Sequence, residues 1–194
     1  MTPPARRGPR PDVDTRAGIL AAAREEFSAN GFDGASVRAV ARAAEVDPAL
    51  VRHYFGSKES LFAASLELPV DPTSVLARVL DGDPDEAGER LVRAFCELWD
   101  PPAHRERLVA VLRTLVGGGE VAAPVPAFIA GHVVRPLAAA AGSSDPARAA
   151  ALVLSQVAGM ALLRYVVELE PVASAEVDVL VGWYGPTLQR YLTA

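Results

Sequence analysis

Apolar residues recur at helical spacing along the first third of the chain, separated by short polar turns. Over residues 15–30, Ile19, Leu20, Ala23 and Phe27 fall on one stripe, which predicts an amphipathic helix. Asp14 or Thr15 is placed to cap its start, and Gly31 to end it as a left-handed C-cap. After the turn Gly31-Phe32-Asp33-Gly34, Ser36 can cap a second helix whose Val37, Val40, Ala41 and Ala44 repeat at i, i+3, i+4 and i+7. That helix should end near Glu45. A third follows at once, because Asp47-Pro48 joins a good N-cap to the one helical position where proline loses no bond. Its Val51 and Phe55, with Val46, should face a core and leave Ala49, Arg52 and His53 on the opposite side. Gly56 should end it, with Ser57 capping a fourth helix that begins at Lys58.

Beyond residue 66 the turn signals Pro69-Val70-Asp71-Pro72, Asp81-Gly82-Asp83-Pro84, Asp100-Pro101-Pro102, Gly117-Gly118-Gly119 and Gly142-Ser143-Ser144-Asp145-Pro146 divide the sequence. Between them lie helical segments near 73–80, 85–99, 103–116, 125–140, 146–169 and 174–192. Alternating blocks of β-branched and aromatic residues are scarce, so the expected fold class is all-α. The three glycines precede no Lys-Ser/Thr pair, which makes them a joint and not a phosphate loop. The segment 146–169 is the most apolar. A helix apolar on most faces must be covered on most faces, so one side should meet its own subunit and another a partner.

Charge sharpens this picture. The net charge is −5, but eight arginines and Lys58 against eight acids give residues 1–66 a balance of +1, which leaves −6 for residues 67–194. Arg6, Arg7, Arg10 and Arg16 cluster at the start, and Lys58 is the only lysine. The N-terminal third is therefore the part suited to a polyanion. The starting residues hold Pro, Arg and Asp where an export signal needs an apolar core, and the uncharged run 149–163 is short of the ~20 residues of a membrane span. A cytoplasmic protein without membrane contact is expected. Cys96 stands alone, which fits a buried small hydrophobe better than a redox sensor.

Two short helices joined by a tight turn form a helix-turn-helix, and the stretch 19–62 carries a more specific likeness. Phe27-Ser28-Ala29-Asn30-Gly31-Phe32, then Ser36-Val37-Arg38-Ala39-Val40-Ala41, then Val51-Arg52-His53-Tyr54-Phe55-Gly56-Ser57-Lys58-Glu59-Ser60-Leu61 resemble the tetracycline-repressor (TetR) family. The resemblance implies an all-helical, Ω-shaped homodimer with one DNA-reading head per subunit. It implies a DNA-binding domain over 15–66 and a ligand-binding and dimerisation domain over 67–194, with the dimer formed through residues 146–192, while the Pro- and Arg-rich composition of 1–14 predicts a basic disordered arm. Matched position by position, Ser36 and Arg38 fall near phosphates, Pro48, Ala49, Leu50, Arg52 and His53 in the recognition helix, and Tyr54 and Lys58 at phosphate contacts.

Arg52 stands where the family often has Tyr, and an arginine there can make the bidentate guanine contact that is the commonest specific base contact. Taken alone, Arg52 and His53 also read as solvated helix surface, and Leu50 can either pack inward or touch a thymine methyl. Lys58 lies in the first turn of its helix, where a cation opposes the macrodipole and a phosphate would compensate. Basic arms of other DNA-binding proteins enter the minor groove, a role open to residues 1–14 beside that of a solubilising tail.

A small-molecule site is expected among the middle helices, with Phe95, Trp99, Leu112, Val116, Phe128, His132, Gln156 and Met160 mixing apolar wall and polar anchors; plain core packing is the alternative for each. His104 and His132 lack neighbours at metal-ligand spacing, so neither a metal nor another cofactor is expected. No nucleophile elbow, metal pair or close catalytic carboxylates stand out, and Asp83, Asp85 and Glu86 read as a charged turn. The sequence therefore points to a non-enzymatic repressor released from a pseudo-palindromic operator by an inducer, with a ligand-independent regulator or an activator as the alternative.

Overall fold

A computed structural model of the chain describes residues 12–117 and 123–194. The arm up to residue 11, and Gly118 and Gly119 of the expected joint, lie outside the described residues. The described fold is helical, in the order α1 (Asp12–Gly34), α2 (Val37–Ala43), α3 (Pro48–Phe55), α4 (Lys58–Ser65), α5 (Pro72–Leu80), α6 (Ala87–Trp99) and α7 (Pro102–Val116). There follow α8 (Pro124–Ile129), a π-helical turn (Ala130–Val134), α9 (Arg135–Ala140), α10 (Pro146–Tyr165) and α11 (Val177–Thr193).

The expected caps hold at α2, α3 and α4, where Ser36, Asp47 and Ser57 accept backbone N–H bonds from Ala39, Ala49 and Ser60. Two expectations for α1 need correction. The chain is already helical at Asp12, so Asp14 and Thr15 lie inside the helix and not at its start. Gly31 does adopt a positive φ of 66°, but its ψ of 179° lies outside the left-handed helical well, and the helical chain resumes for one more turn after a kink. The kink delivers Phe32 into the core of the head.

At the other end, the helix expected over 146–169 stops at Tyr165, and the last helix begins at Val177 and not near 174. Glu168 has a positive φ, and Pro171 disfavours helical dihedrals in the residue before it, so the helix cannot run on. Arg164 organises the intervening loop. Its Nη1 donates to the carbonyls of Val172, Ala173 and Ala175 at 2.8, 3.1 and 2.9 Å.

Two apolar cores result. The larger unites α5, α6, α9, α10 and α11. Within it α6 and α11 approach so closely that a Cβ on Gly88 would collide with the carbonyl of Gly185 and the backbone of Gln189. The Gly88 N–H donates to Gln189 Oε1 at 2.8 Å, and Gln189 Nε2 donates to the Pro84 carbonyl, which pins the crossing. The smaller core is aromatic: Phe27, Phe32 and Phe62 meet edge-to-face or stacked, and Phe128 from α8 fills the remaining space 4.5 Å from Phe32 and 4.7 Å from Phe62. Val125 and Phe128 thus belong to the same buried cluster as α1–α4, although they lie about sixty residues later.

Candidate nucleic-acid interface and effector cavity

α3 has the two-faced character expected of it. Val51 and Phe55 are buried, whereas Pro48, Ala49, Arg52 and His53 are exposed and Leu50 is half-buried. Because the buried pair is spaced i, i+4, the exposed set forms one outward surface. Ser36 and Arg38, at the start of α2, are exposed near it. Val37, Arg52, Ser57 and Lys58 line a shallow hollow between α2, α3 and the N-terminus of α4. Backbone N–H groups at a helix N-terminus and two cations make such a hollow favourable for an anion. Lys58 is held in place: its Nζ lies 4.5 Å over the Phe32 ring and 3.5 Å from the Asp33 carbonyl. The cation–π contact offsets the unfavourable dipole position that the sequence assigns to it.

Arg24, by contrast, is turned to the body side. Its Nε donates to the Ser65 carbonyl at 2.7 Å and its Nη2 pairs with Glu67, so it ties α1 to the end of α4.

Between α5, α6, α7, α8 and α10 lies a cavity of about 260 Å³. Phe95, Trp99 and Leu112, from the expected set, form part of its wall. The other five do not. Val116 is 75% exposed at the end of α7. Phe128 faces the head core, and His132 stacks on Phe128 while its Nε2 sits 3.2 Å from Asp33 Oδ1 of the head. Met160 is buried elsewhere in the large core, and Gln156 is half-buried outside the wall. Residue type alone made these five plausible, but their direction depends on how α7 to α10 cross. The wall residues that sequence reasoning missed include Leu68, Pro69 and Val70, which precede α5, and Val125, Ile129 and Val133 around the π-turn. No periodicity marks the segment 68–70, so only tertiary packing identifies it.

From this wall the rings of Phe95 and Trp99 continue into that of Tyr165, stacked in series with centroids 5.5 and 5.1 Å apart. The Tyr165 hydroxyl donates to Asp100 Oδ1 at 2.8 Å, and burial together with that carboxylate raises its pKa well above the ordinary phenol value. Cys96 is fully buried, and burial first, then the charge of Asp100, pushes its thiol up to about 11. Among the described residues no group of three or more His, Cys, Asp or Glu side chains is placed to hold a metal.

A helix-turn-helix whose outward face is polar and basic, joined to an all-helical body with an apolar cavity, defines the class of helix-turn-helix DNA-binding regulators. Residues 19–65 match the model for bacterial regulatory proteins of the tetR family, and residues 85–192 match that for the tetracyclin repressor-like C-terminal domain. The chain belongs to the TetR family. It is 34% identical over 103 residues to the HTH-type transcriptional repressor NicS of Pseudomonas putida, which covers 52% of this chain and 47% of that protein. It is 32% identical over 113 residues to the HTH-type transcriptional regulatory protein RaaS of Mycobacterium tuberculosis, covering 57% and 50% respectively. These matches span about half the length of each relative. Among solved structures, a TetR-family regulator from Streptomyces coelicolor is 34% identical, with 96% of this chain and 99% of that one covered and a TM-score of 0.46.

Proposed function

We propose that the protein is a ligand-gated repressor that binds a pseudo-palindromic operator as a homodimer and leaves it when a small molecule enters the cavity. Residues 15–66 act as the reading head and residues 67–194 as the ligand-binding and dimerisation part. Arg52 and His53, with Ala49, Pro48 and Leu50 beside them, read base edges in the major groove, while Ser36, Arg38, Tyr54 and Lys58 hold phosphates. The dimer forms through 146–192, a reading supported by the large apolar side chains left exposed on that segment: Leu152, Leu162, Val167, Leu169, Val179 and Trp183. Leu188, a residue of the same segment, has no part in that seam, because it is 0% exposed within the protomer.

The observation that carries gating is the double duty of the segment 124–134. Val125 belongs both to the cavity wall and to the core of the head, and Ile129 packs at the border of the two. A molecule that spreads the wall moves the element on which the head is seated. Two heads must meet major grooves about 34–36 Å apart, so a small rotation of each ends simultaneous docking.

Linkage supplies the test: DNA must weaken the ligand by the same factor as the ligand weakens DNA, about 1–3 kcal/mol. Calorimetric titration of a bound effector with and without saturating operator should give affinities about 5–150-fold apart. Equal affinities would mean that occupancy and repression are uncoupled.

A further inference from the structure

We infer that the effector is an uncharged, hydrogen-bond-poor molecule, because among the described residues the cavity wall carries no charged side chain to pair with a carboxylate, a phosphate or an ammonium group. The inference rests on the ligand-gated reading and specifies the chemistry of that site.

Small-molecule sites combine an apolar wall with a few convergent polar groups that fix orientation. Among the described residues this one has little but the wall: every described side chain that lines it is Ala, Val, Leu, Ile, Pro, Phe or Trp, and the indole N–H of Trp99 is the one donor any of them carries. The two polar side chains that the sequence put forward as anchors are committed or absent: His132 is turned to Asp33 of the head, and Gln156 is not in the wall. Two charged side chains of α7, Glu106 and Arg107, line an adjoining groove with Arg24 and Glu67 on the other side of Val111. An ionised group brought against this wall would lose hydration and meet no opposite charge among the described lining residues, whereas a hydrocarbon skeleton gains apolar burial. At about 260 Å³ the cavity is slightly below the ~300–1,000 Å³ of drug-sized sites, so the molecule is also small.

The probes are 1-octanol, octanoate and octylammonium, which share one chain and differ in charge. Each is titrated calorimetrically at pH 8 into the full-length protein without DNA. Octanol should bind at least tenfold more tightly than either ion. In a second measurement, Leu112→Arg places a cation on the half-exposed wall of α7, where its stem can lie along apolar surface while the guanidinium reaches water. This variant should reverse the order, so that octanoate binds better than octanol. Leu115→Arg, also half-exposed in the wall, serves if the first variant melts early.

Octanoate or octylammonium binding the wild type as well as octanol does overturns the proposal, as does no octanol binding up to its solubility. Operator affinity measured beside these titrations separates the two readings. Octanol that binds with the expected preference but leaves operator affinity unchanged supports the ligand class and removes gating instead.

Discussion

At Arg52 and Lys58 the same positive charge meets two different surroundings. Arg52 extends from the open face of α3, whereas the ammonium of Lys58 is seated over Phe32 at the edge of α4. Base-edge contacts specify and phosphate contacts position. Arg52→Ala should therefore change which operator bases are preferred, at roughly 1–3 kcal/mol for a lost bidentate contact, while Lys58→Ala should weaken all sequences alike. Binding across a set of single-base operator variants distinguishes the two profiles, and an unaltered preference for the Arg52 variant removes that residue from direct readout.

The same scale decides the fate of Cys96. Only a thiolate attacks, and a thiol held at about 11 and 1% exposed is almost wholly protonated at pH 8. In the native protein it should react with a disulfide reagent far more slowly than after denaturation in guanidinium; equal rates would show that the core opens around α6. The exposed side chains of α3 were legible from spacing alone, since i, i+4 arithmetic needs no tertiary knowledge. The cation–π seat of Lys58 was not, because Phe32 arrives there only through the kink at Gly31.

Among the elements, the crossing of α6 and α11 is held by absence of side chain. Gly88 and Gly185 let the two backbones approach, and Gln189 converts that approach into hydrogen bonds to Gly88 N and Pro84 O. Gly88→Ala gains helix propensity but has no room, so it should destabilise by roughly 1–3 kcal/mol, the usual cost of overpacking. A lowered urea midpoint with unchanged slope is the expected result, and a raised midpoint would mean that the helices can part without loss. Helix positions from α2 to α7 followed from caps and prolines in the sequence. The end of α10 did not, since the apolar pattern continues to Leu169 while Arg164 turns back to gather the carbonyls of the following loop.

For the whole molecule, α10 poses a question of solvent. It is the one described helix long and apolar enough to cross a membrane, yet one face is buried against its own core while Leu152 and Leu162 stay exposed. In a homodimer that second face meets its symmetry mate. Leu162→Glu should then shift the protein toward monomer in sedimentation, because the charge would be buried without a partner, while a thermal melt checks that the protomer still folds. A wild type that sediments as a monomer would refute the seam. Leu188→Glu would test something else, namely the folding of the protomer. The apolar pattern led to the expectation of a partner for this region, but which residues turn inward depended on the α6–α11 crossing.

Phe128 has a consequence for protein engineering. A chimera that grafts residues 12–66 onto a foreign regulatory body would leave a phenyl-sized hole beside Phe32 and Phe62, because the side chain that fills it comes from α8. Reading heads in this architecture are interchangeable parts only when the recipient carries a matching plug, so functional swaps should succeed or fail according to the residue at that one place in the acceptor.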